Sequence, residues 1–270
     1  MAITTLDQAD AGRNYPYLYD KTLATYNTQV ANRYYSTWYH TGNPGNPGAN
    51  AAGLSGAALT SPVTGQLPIP PTSNNTYLHS ITHRQPIAGA PGMALLVDRL
   101  WHNSGITITS TAAQTINSVT FPARDDNGTT NGDGVLVGVE VSTATGAGTP
   151  GLSMSYTDQA GTAGKTANSI ITGVASSNVG SFYLLGLAAG DTGVRSIQNF
   201  TLSATWTSGT IHLVAFRILA VLPVRGVGVG GNVFDYKSMG LQRMYDESVP
   251  FILWIGGGSR TLANVRYTQG

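Results

Sequence analysis

Two histidines of this chain are spaced like paired metal ligands. His79 and His83 stand four residues apart in HSITHRQP, a spacing that brings two rings together on a helix. Ile81 and Thr82 between them favour extended backbone, in which the rings lie about 13 Å apart. We therefore predict a strand here and no metal site.

A loop rich in acids and amides offers a better cation site. The segment 124–134, RDDNGTTNGDG, carries Asp125, Asn127 and Asp133, with Gly128 placed for a sharp turn. Alternating oxygen ligands of this kind suit Ca²⁺, although the run lacks the final glutamate of an EF-hand. Asp, Asn and Gly are also the ordinary residues of long turns, so a plain loop is the alternative. We expect no cofactor apart from Ca²⁺ at this loop.

The glycine run 226–231, GVGVGG, matches a dinucleotide-binding pattern. That pattern works only where a helix opens directly after the glycines, within a parallel strand–helix–strand unit. Val227 and Val229 favour extended backbone, and no strand alternates with a helix upstream. We interpret the run as a connector.

Catalytic signatures are also missing from the sequence. It contains no G-x-S-x-G turn and no carboxylate pair that spacing singles out for glycoside hydrolysis. Glu140 alternates with valines in a strand, so we predict that it faces solvent, and we interpret His40, His102 and His212 as structural. These absences predict a protein that is not an enzyme.

The element around which the chain is organised is the segment 210–224, TIHLVAFRILAVLPV, because both of its alternating faces are apolar. A strand covered on both faces needs neighbours on each side and layers above and below. Upstream, about seven shorter alternating segments are separated by glycine-rich turns without helical periodicity. The pattern predicts an all-β fold, an antiparallel β-sandwich or jelly roll, with its body over 92–224.

The flanks of this body differ from it. Residues 1–91 are predicted to form an N-terminal arm: a helix over about 20–40, with apolar residues at intervals of three and four, then a tether rich in Gly and Pro. Residues 225–270 are predicted to form a C-terminal extension that closes the sandwich or docks beside it.

The arm is rich in aromatic side chains. Rigid amphipathic rings bury large areas and often anchor interfaces, so they are candidates for contact with another subunit. The alternative is that they pack the arm onto its own body. The candidate interface residues are Tyr15, Tyr17, Tyr19, Tyr26, Tyr34, Tyr35, Trp38 and Tyr39.

Composition limits the partners. Charged residues make up 10% of the 270-residue chain and the net charge is +1, against about 25% charged residues in ordinary soluble domains. Without a basic stripe, nucleic-acid binding is not expected. No cysteine, secretory signal or membrane span is apparent, so we expect synthesis in the cytoplasm and stability from packing alone. A surface poor in flexible charge suits burial against other subunits.

The middle region resembles structural proteins of tailed bacteriophage virions. The resemblance lies in ALLVDRLWHNSGITITSTAAQTINSVTFPARDDNGTTNGDGVLVGVEV and SMSYTDQAGTAGKTA, and in a cysteine-free, low-charge composition rich in Gly, Thr and Ala. It implies a capsid decoration or cement protein, often a β-sandwich that clusters as a trimer on the shell and clasps its neighbours with an extended terminus. Many decoration proteins are smaller than this chain, and the resemblance supplies no site residues.

The sequence therefore predicts a capsid cement protein on the virion surface, bound to the major capsid protein and to sister copies, with a trimer favoured. One alternative is a tail, neck or fibre component that displays a loop face to a receptor or sugar. Another is a carbohydrate-active enzyme on a β scaffold, for which the chain offers no acid pair.

Overall fold

The computed structural model describes residues 3–22, 33–70, 74–84, 92–224, 232–255 and 260–270. Two short helices and seventeen strands form within these residues. The elements are α1 (Leu6–Ala11), β1 (Arg13–Thr22), β2 (Tyr34–Ser36), β3 (Thr41–Asn43), β4 (Ala57–Ala58), β5 (Thr76–Arg84), β6 (Gly92–His102), β7 (Gln114–Thr115), β8 (Val135–Thr143), β9 (Leu152–Asp158), β10 (Lys165–Ser169), β11 (Ser181–Gly186), β12 (Val194–Leu202), β13 (Thr210–Val224), β14 (Asn232–Asp235), α2 (Tyr236–Met239), β15 (Arg243–Met244), β16 (Pro250–Ile255) and β17 (Arg260–Gln269).

Six strands of the larger sheet close into a ring. Their order is β2–β16–β6–β13–β8–β11, and β11 pairs back onto β2 through Phe182 and Tyr34. Every pairing in this ring is antiparallel. Because successive side chains alternate between faces, each ring strand contributes one row to the interior and one row to an outer layer.

Two outer layers cover the ring wall. Strands β10, β9, β12 and β7 continue the large sheet and fold over the outer face of β8, β11 and β13, burying Met154, Tyr156 and Phe200 against the valines of β8. The second sheet, in the order β14–β5–β17–β1–β3, covers β6, β16 and the far part of β13. The chain thus has a core inside the ring and one beneath each outer layer.

The predicted all-β antiparallel fold is confirmed, and β13 occupies the predicted segment. It pairs with β6 on one side and β8 on the other, and its residues enter all three cores. Ile211 and Leu213 lie in the core beneath β10, β9, β12 and β7, Phe216 lies inside the ring, and Leu219 and Leu222 lie beneath the second sheet. Register shifts on the β6 side after Ala215 and Ile218 accompany this change of faces. The interpretation of β13 as a strand covered on both faces is correct.

The predicted helix over 20–40 is wrong where the structure describes it. Residues 13–22 form β1 and residues 34–36 form β2, while 23–32 lie outside the described residues. β1 pairs along its whole length with β17, whose apolar inner row supplies tertiary packing that outweighs the helical spacing. Within the described part of residues 1–91, the only helix is α1, which precedes β1, has about one and a half turns and is capped by Thr5.

The arm and the C-terminal extension are parts of one folded layer. β1 and β5 from residues 1–91 flank β17 from residues 225–270 in the second sheet, and β16 completes the ring between β2 and β6. The segment 44–70 is irregular apart from β4, and it is rich in glycine and proline. In the described part of the chain, no helix is long and apolar enough to cross a membrane.

Candidate functional site

Charged side chains lie inside the ring, which the sequence analysis did not predict. Toward the end where β13 leaves β8, the interior is apolar and includes Phe182 and Phe216, whose rings meet edge to face at 5.7 Å. Gly138 faces these rings, and a Cβ there would overlap Phe182. The glycine therefore leaves the space that the Phe182 ring occupies.

An arginine–glutamate pair occupies the middle of the interior. Arg99 on β6 donates to both carboxylate oxygens of Glu140 on β8, at 3.1 and 2.8 Å, and both side chains are fully buried. The guanidinium lies over the Trp38 ring at 4.5 Å and near the Phe251 ring at 5.4 Å. The predicted solvent position of Glu140 is wrong, because the ring closes over the face opposite the valines.

Two neutral histidines continue this polar interior. The Nδ1 atom of His102 accepts from Arg99 Nε at 3.2 Å. Burial, with Arg99 nearby, lowers the pKa of His102 to about 2. Burial likewise lowers the pKa of His212, whose Nδ1 lies 2.8 Å from the Asn103 carbonyl oxygen and whose Nε2 lies 2.7 Å from Ser142 Oγ.

A second buried network lies on the outer face of the wall. Asp98 accepts from Arg124 at 3.1 and 3.3 Å, from Ser248 Oγ at 2.9 Å and from the Val249 amide at 2.8 Å. Arg217 reaches the same carboxylate at 3.5 Å. These bonds fasten the loops before β8 and before β16 to β6, so Asp98 acts as a structural hub.

The chemistry open to these groups is restricted. Both carboxylates are held by arginine and shut away from water, which leaves neither as a free general base. Ser142 and His212 have the hydrogen-bond order of a serine–base pair, and they meet at the end of the ring opposite the phenylalanines. That end opens into a concavity of about 420 Å³ lined by Tyr39, Asn46, Gly48, Ala49, Ser142, Thr143 and Val179.

The predicted calcium loop is fastened by its own hydrogen bonds. Both carboxylate oxygens of Asp125 accept from within the loop, from the amides of Asn127, Thr129 and Gly132 and from the Thr129 hydroxyl, at 2.6 to 3.0 Å. Burial opposes ionisation, but these bonds hold the pKa of Asp125 below its usual value. Asp133 donates its amide to Asp125 at 3.3 Å. Within the described ranges, no group of three or more His, Cys, Asp or Glu side chains is placed to bind a metal. Calcium binding stays a prediction, and the geometry favours the plain loop.

Comparisons with known proteins do not assign this chain to a family. No family model matches the chain, and no curated protein matches it. Among solved structures, the infectious bursal disease virus Gt strain aligns at 10% identity over 95% of this chain and 80% of that chain, with a TM-score of 0.20. The VP2 subviral particle of the same virus aligns at 8% identity over 96% and 80%, with a TM-score of 0.21. Scores this low support no conclusion about fold or function.

The predicted interface aromatics divide by burial. Tyr19, Tyr35, Trp38 and Tyr39 are buried in this chain, as the alternative of packing on its own body predicts. Contact with another subunit stays a prediction for the half-buried rings, and Tyr26 lies outside the described residues. The half-buried members are Tyr15, Tyr17 and Tyr34.

The other predicted sites do not enter the ring interior. His79 and His83 lie on extended β5, as expected, and His83 Nε2 bonds to the Thr261 hydroxyl at 2.7 Å. The glycine run 226–231 lies entirely outside the described residues, so its interpretation as a connector stays a prediction. The interior cluster around Arg99 was missed, although the sequence carried one signal for it: a charged pair, Asp98–Arg99, interrupts an otherwise apolar strand.

Proposed function

We propose that this chain is a non-enzymatic structural protein of a virion, which binds between shell subunits as a capsid decoration or cement protein. The observation that carries the proposal is the placement of exposed apolar side chains on opposite sides of the double layer formed by the ring wall and the second sheet. A protein that joins subunits needs two such surfaces, and isolated exposed apolar residues alone would mean little.

The first surface, here called the ring-end surface, surrounds the apolar end of the ring. Met93, Ile170 and Val221 are exposed there by 38%, 66% and 48%. Val221 lies directly opposite Leu95, one of the residues lining a small apolar cavity of about 40 Å³. An aliphatic side chain from a neighbouring subunit would find only apolar contacts at this surface.

The second surface, here called the sheet face, is the outer side of the second sheet. Leu18, Asn264, Thr82 and Val233 form one row across four paired strands, and its ends, Leu18 and Val233, are exposed by 51% and 67%. The row carries no charge. The double layer formed by the ring wall and the second sheet separates this surface from the ring-end surface.

One of these surfaces would contact the major capsid protein, and the other would contact sister copies of this chain. A trimer on the virion surface is the arrangement that the resemblance to phage virion proteins favours. The small number of surface charges supports the same proposal, because covering such a surface costs little desolvation of ions.

Shell binding tests the proposal. Purified protein is sedimented with empty shells that lack it, and shell survival under heating is compared with and without added protein. We expect co-sedimentation and a higher disruption temperature. Val221→Asp and Leu18→Asp should each weaken binding while the circular dichroism spectrum stays β-type; Thr166→Asp, at a surface position outside both surfaces, is the matched control. If the protein does not co-sediment with shells, or if each variant binds as well as the wild type, the chain is not a cement protein of this design.

The runner-up is a tail, neck or fibre component with a receptor- or sugar-binding loop face. Its distinguishing result is location: labelled protein would be found on tails rather than on heads. The closed arginine–carboxylate pairs favour neither location, but they weigh against the carbohydrate-active enzyme, since that reaction needs two available carboxyl groups.

A further inference from the structure

The open polar end of the ring is built like a small-ligand site. Its concavity of about 420 Å³ lies within the ~300–1,000 Å³ typical of such sites. The loop 46–49, the end of β8, Tyr39 and Val179 form its walls, and none of the described lining residues is charged. The site is independent of the two surfaces assigned to shell contact.

Ser142 presents an oriented acceptor to this concavity. The Asn103 carbonyl can only accept, so the Nδ1 atom of His212 at 2.8 Å carries the ring proton. The ring is neutral because burial lowers its pKa, and Nε2 is therefore an acceptor. Ser142 Oγ lies 2.7 Å from Nε2 and 3.4 Å from the Thr210 carbonyl oxygen, and both atoms are acceptors. The hydroxyl therefore donates within the protein, which leaves the oxygen lone pairs for a ligand.

The remaining wall fixes the shape of the concavity. Asn46 donates to the Tyr39 carbonyl at 2.7 Å and accepts from the Gly48 amide at 2.7 Å, so its amide holds the loop in place rather than facing a ligand. The Tyr39 ring packs against the His212 ring at 5.8 Å. Thr143 adds an exposed hydroxyl beside Ser142, and Ala49 and Val179 supply apolar contact.

From this geometry we propose that the concavity binds a neutral carbohydrate. A sugar offers hydroxyl donors to the oriented Ser142 oxygen, a further hydroxyl to Thr143, and C–H faces to the aromatic and aliphatic walls. An anionic ligand would meet no cation among the lining residues, and a wholly apolar ligand would leave the Ser142 acceptor unpaired. Neutral sugars satisfy both conditions.

The test measures binding of methyl glycosides of glucose, galactose and mannose to the isolated full-length chain, by ligand-observed NMR titration. We expect saturable binding of at least one glycoside with a dissociation constant of millimolar order. Ser142→Ala should weaken it about fivefold to tenfold, the effect of one hydrogen bond. Ser153→Ala, a half-buried serine on β9, is the matched control and should change nothing.

A second variant guards against a local packing defect in Ser142→Ala. Ala49 is exposed at the rim, so Ala49→Trp should fill the concavity while the fold is retained, and it should abolish binding. No saturation by any of the three glycosides, or binding that persists in both Ser142→Ala and Ala49→Trp, overturns the proposal. Shell binding by the same variants should be unchanged, so this test and that of the cement function fail separately.

Discussion

Mild acid should destabilise this protein more than its carboxylates alone would explain. Burial lowers the pKa of His40 and of His83 to about 4, and that of His102 to about 2. Each side chain is less than 10% exposed. In the unfolded chain the same groups have a pKa near 6.5. As the pH falls below about 6.5, the unfolded state therefore binds protons that the folded state does not bind.

The size of the effect follows from this difference. Between pH 7 and pH 5, each such histidine lowers the free energy of unfolding by about 1.8 kcal/mol, and the three together by roughly 5 kcal/mol. That is a third or more of the ~5–15 kcal/mol that holds a domain together. Carboxylates contribute little in this window because their unfolded pKa values lie near 4.

Urea denaturation at pH 7, 6 and 5, followed by tryptophan fluorescence, measures the loss. His102→Asn is the informative variant, because an amide oxygen can accept from Arg99 as Nδ1 does but does not titrate. We expect its stability to fall less between pH 7 and pH 5 than that of the wild type, by about 1.8 kcal/mol. Equal stability of the wild type at both pH values, or the same pH dependence in the variant, would refute the reasoning.

Three further predictions concern the buried groups. Glu140→Gln should cost about 3–5 kcal/mol of stability because it leaves Arg99 charged and unpaired, whereas the double change Arg99→Met with Glu140→Leu should cost much less; urea denaturation of both variants compares them. Gly138→Ala should cost about 1–3 kcal/mol by overlap with Phe182. Gly186→Ala on ring strand β11 is the tolerated control, because its Cβ would lie 3.5 Å from Ile170, at ordinary contact distance. Asp125→Asn should lower the melting temperature because an amide cannot accept all the loop's hydrogen bonds, and saturating calcium should leave the wild-type melting temperature unchanged; a calcium-dependent rise would instead establish the cation site.

The part of the fold that could be predicted from the sequence came from apolar residues that alternate with a period of two or form short runs. β13 was delimited because both its faces are apolar, and β16 because FILWI is a short apolar run. β1 was missed although Tyr15, Tyr17 and Tyr19 alternate on one face, because the three- and four-residue spacing downstream of Asp20 was given more weight. Nothing local could correct this, since the partner of β1 is β17, about 240 residues away along the chain.

The interior site was beyond prediction for a related reason. Alternation placed Glu140 opposite the valines of β8, which is correct, but it could not show that this face closes into a ring. Closure depends on β2 pairing with both β16 and β11 through two or three residues each. Segments so short leave no periodic signal, and His40, His102 and His212 therefore looked isolated in the sequence.

Adjacent opposite charges on β6 give this low-charge protein a device for fixing its strand register. Asp98 and Arg99 point to opposite faces, and each is satisfied only there: Asp98 by Arg124, Ser248 and the Val249 amide outside the ring, Arg99 by Glu140 inside it. A slip of β6 by one residue would exchange the two faces and bury both charges without partners. Apolar neighbours such as Leu96 and Val97 would tolerate that exchange far better, because either face can pack an aliphatic side chain. The buried pairs thus act against wrong registers, a role that does not depend on how much they stabilise the right one.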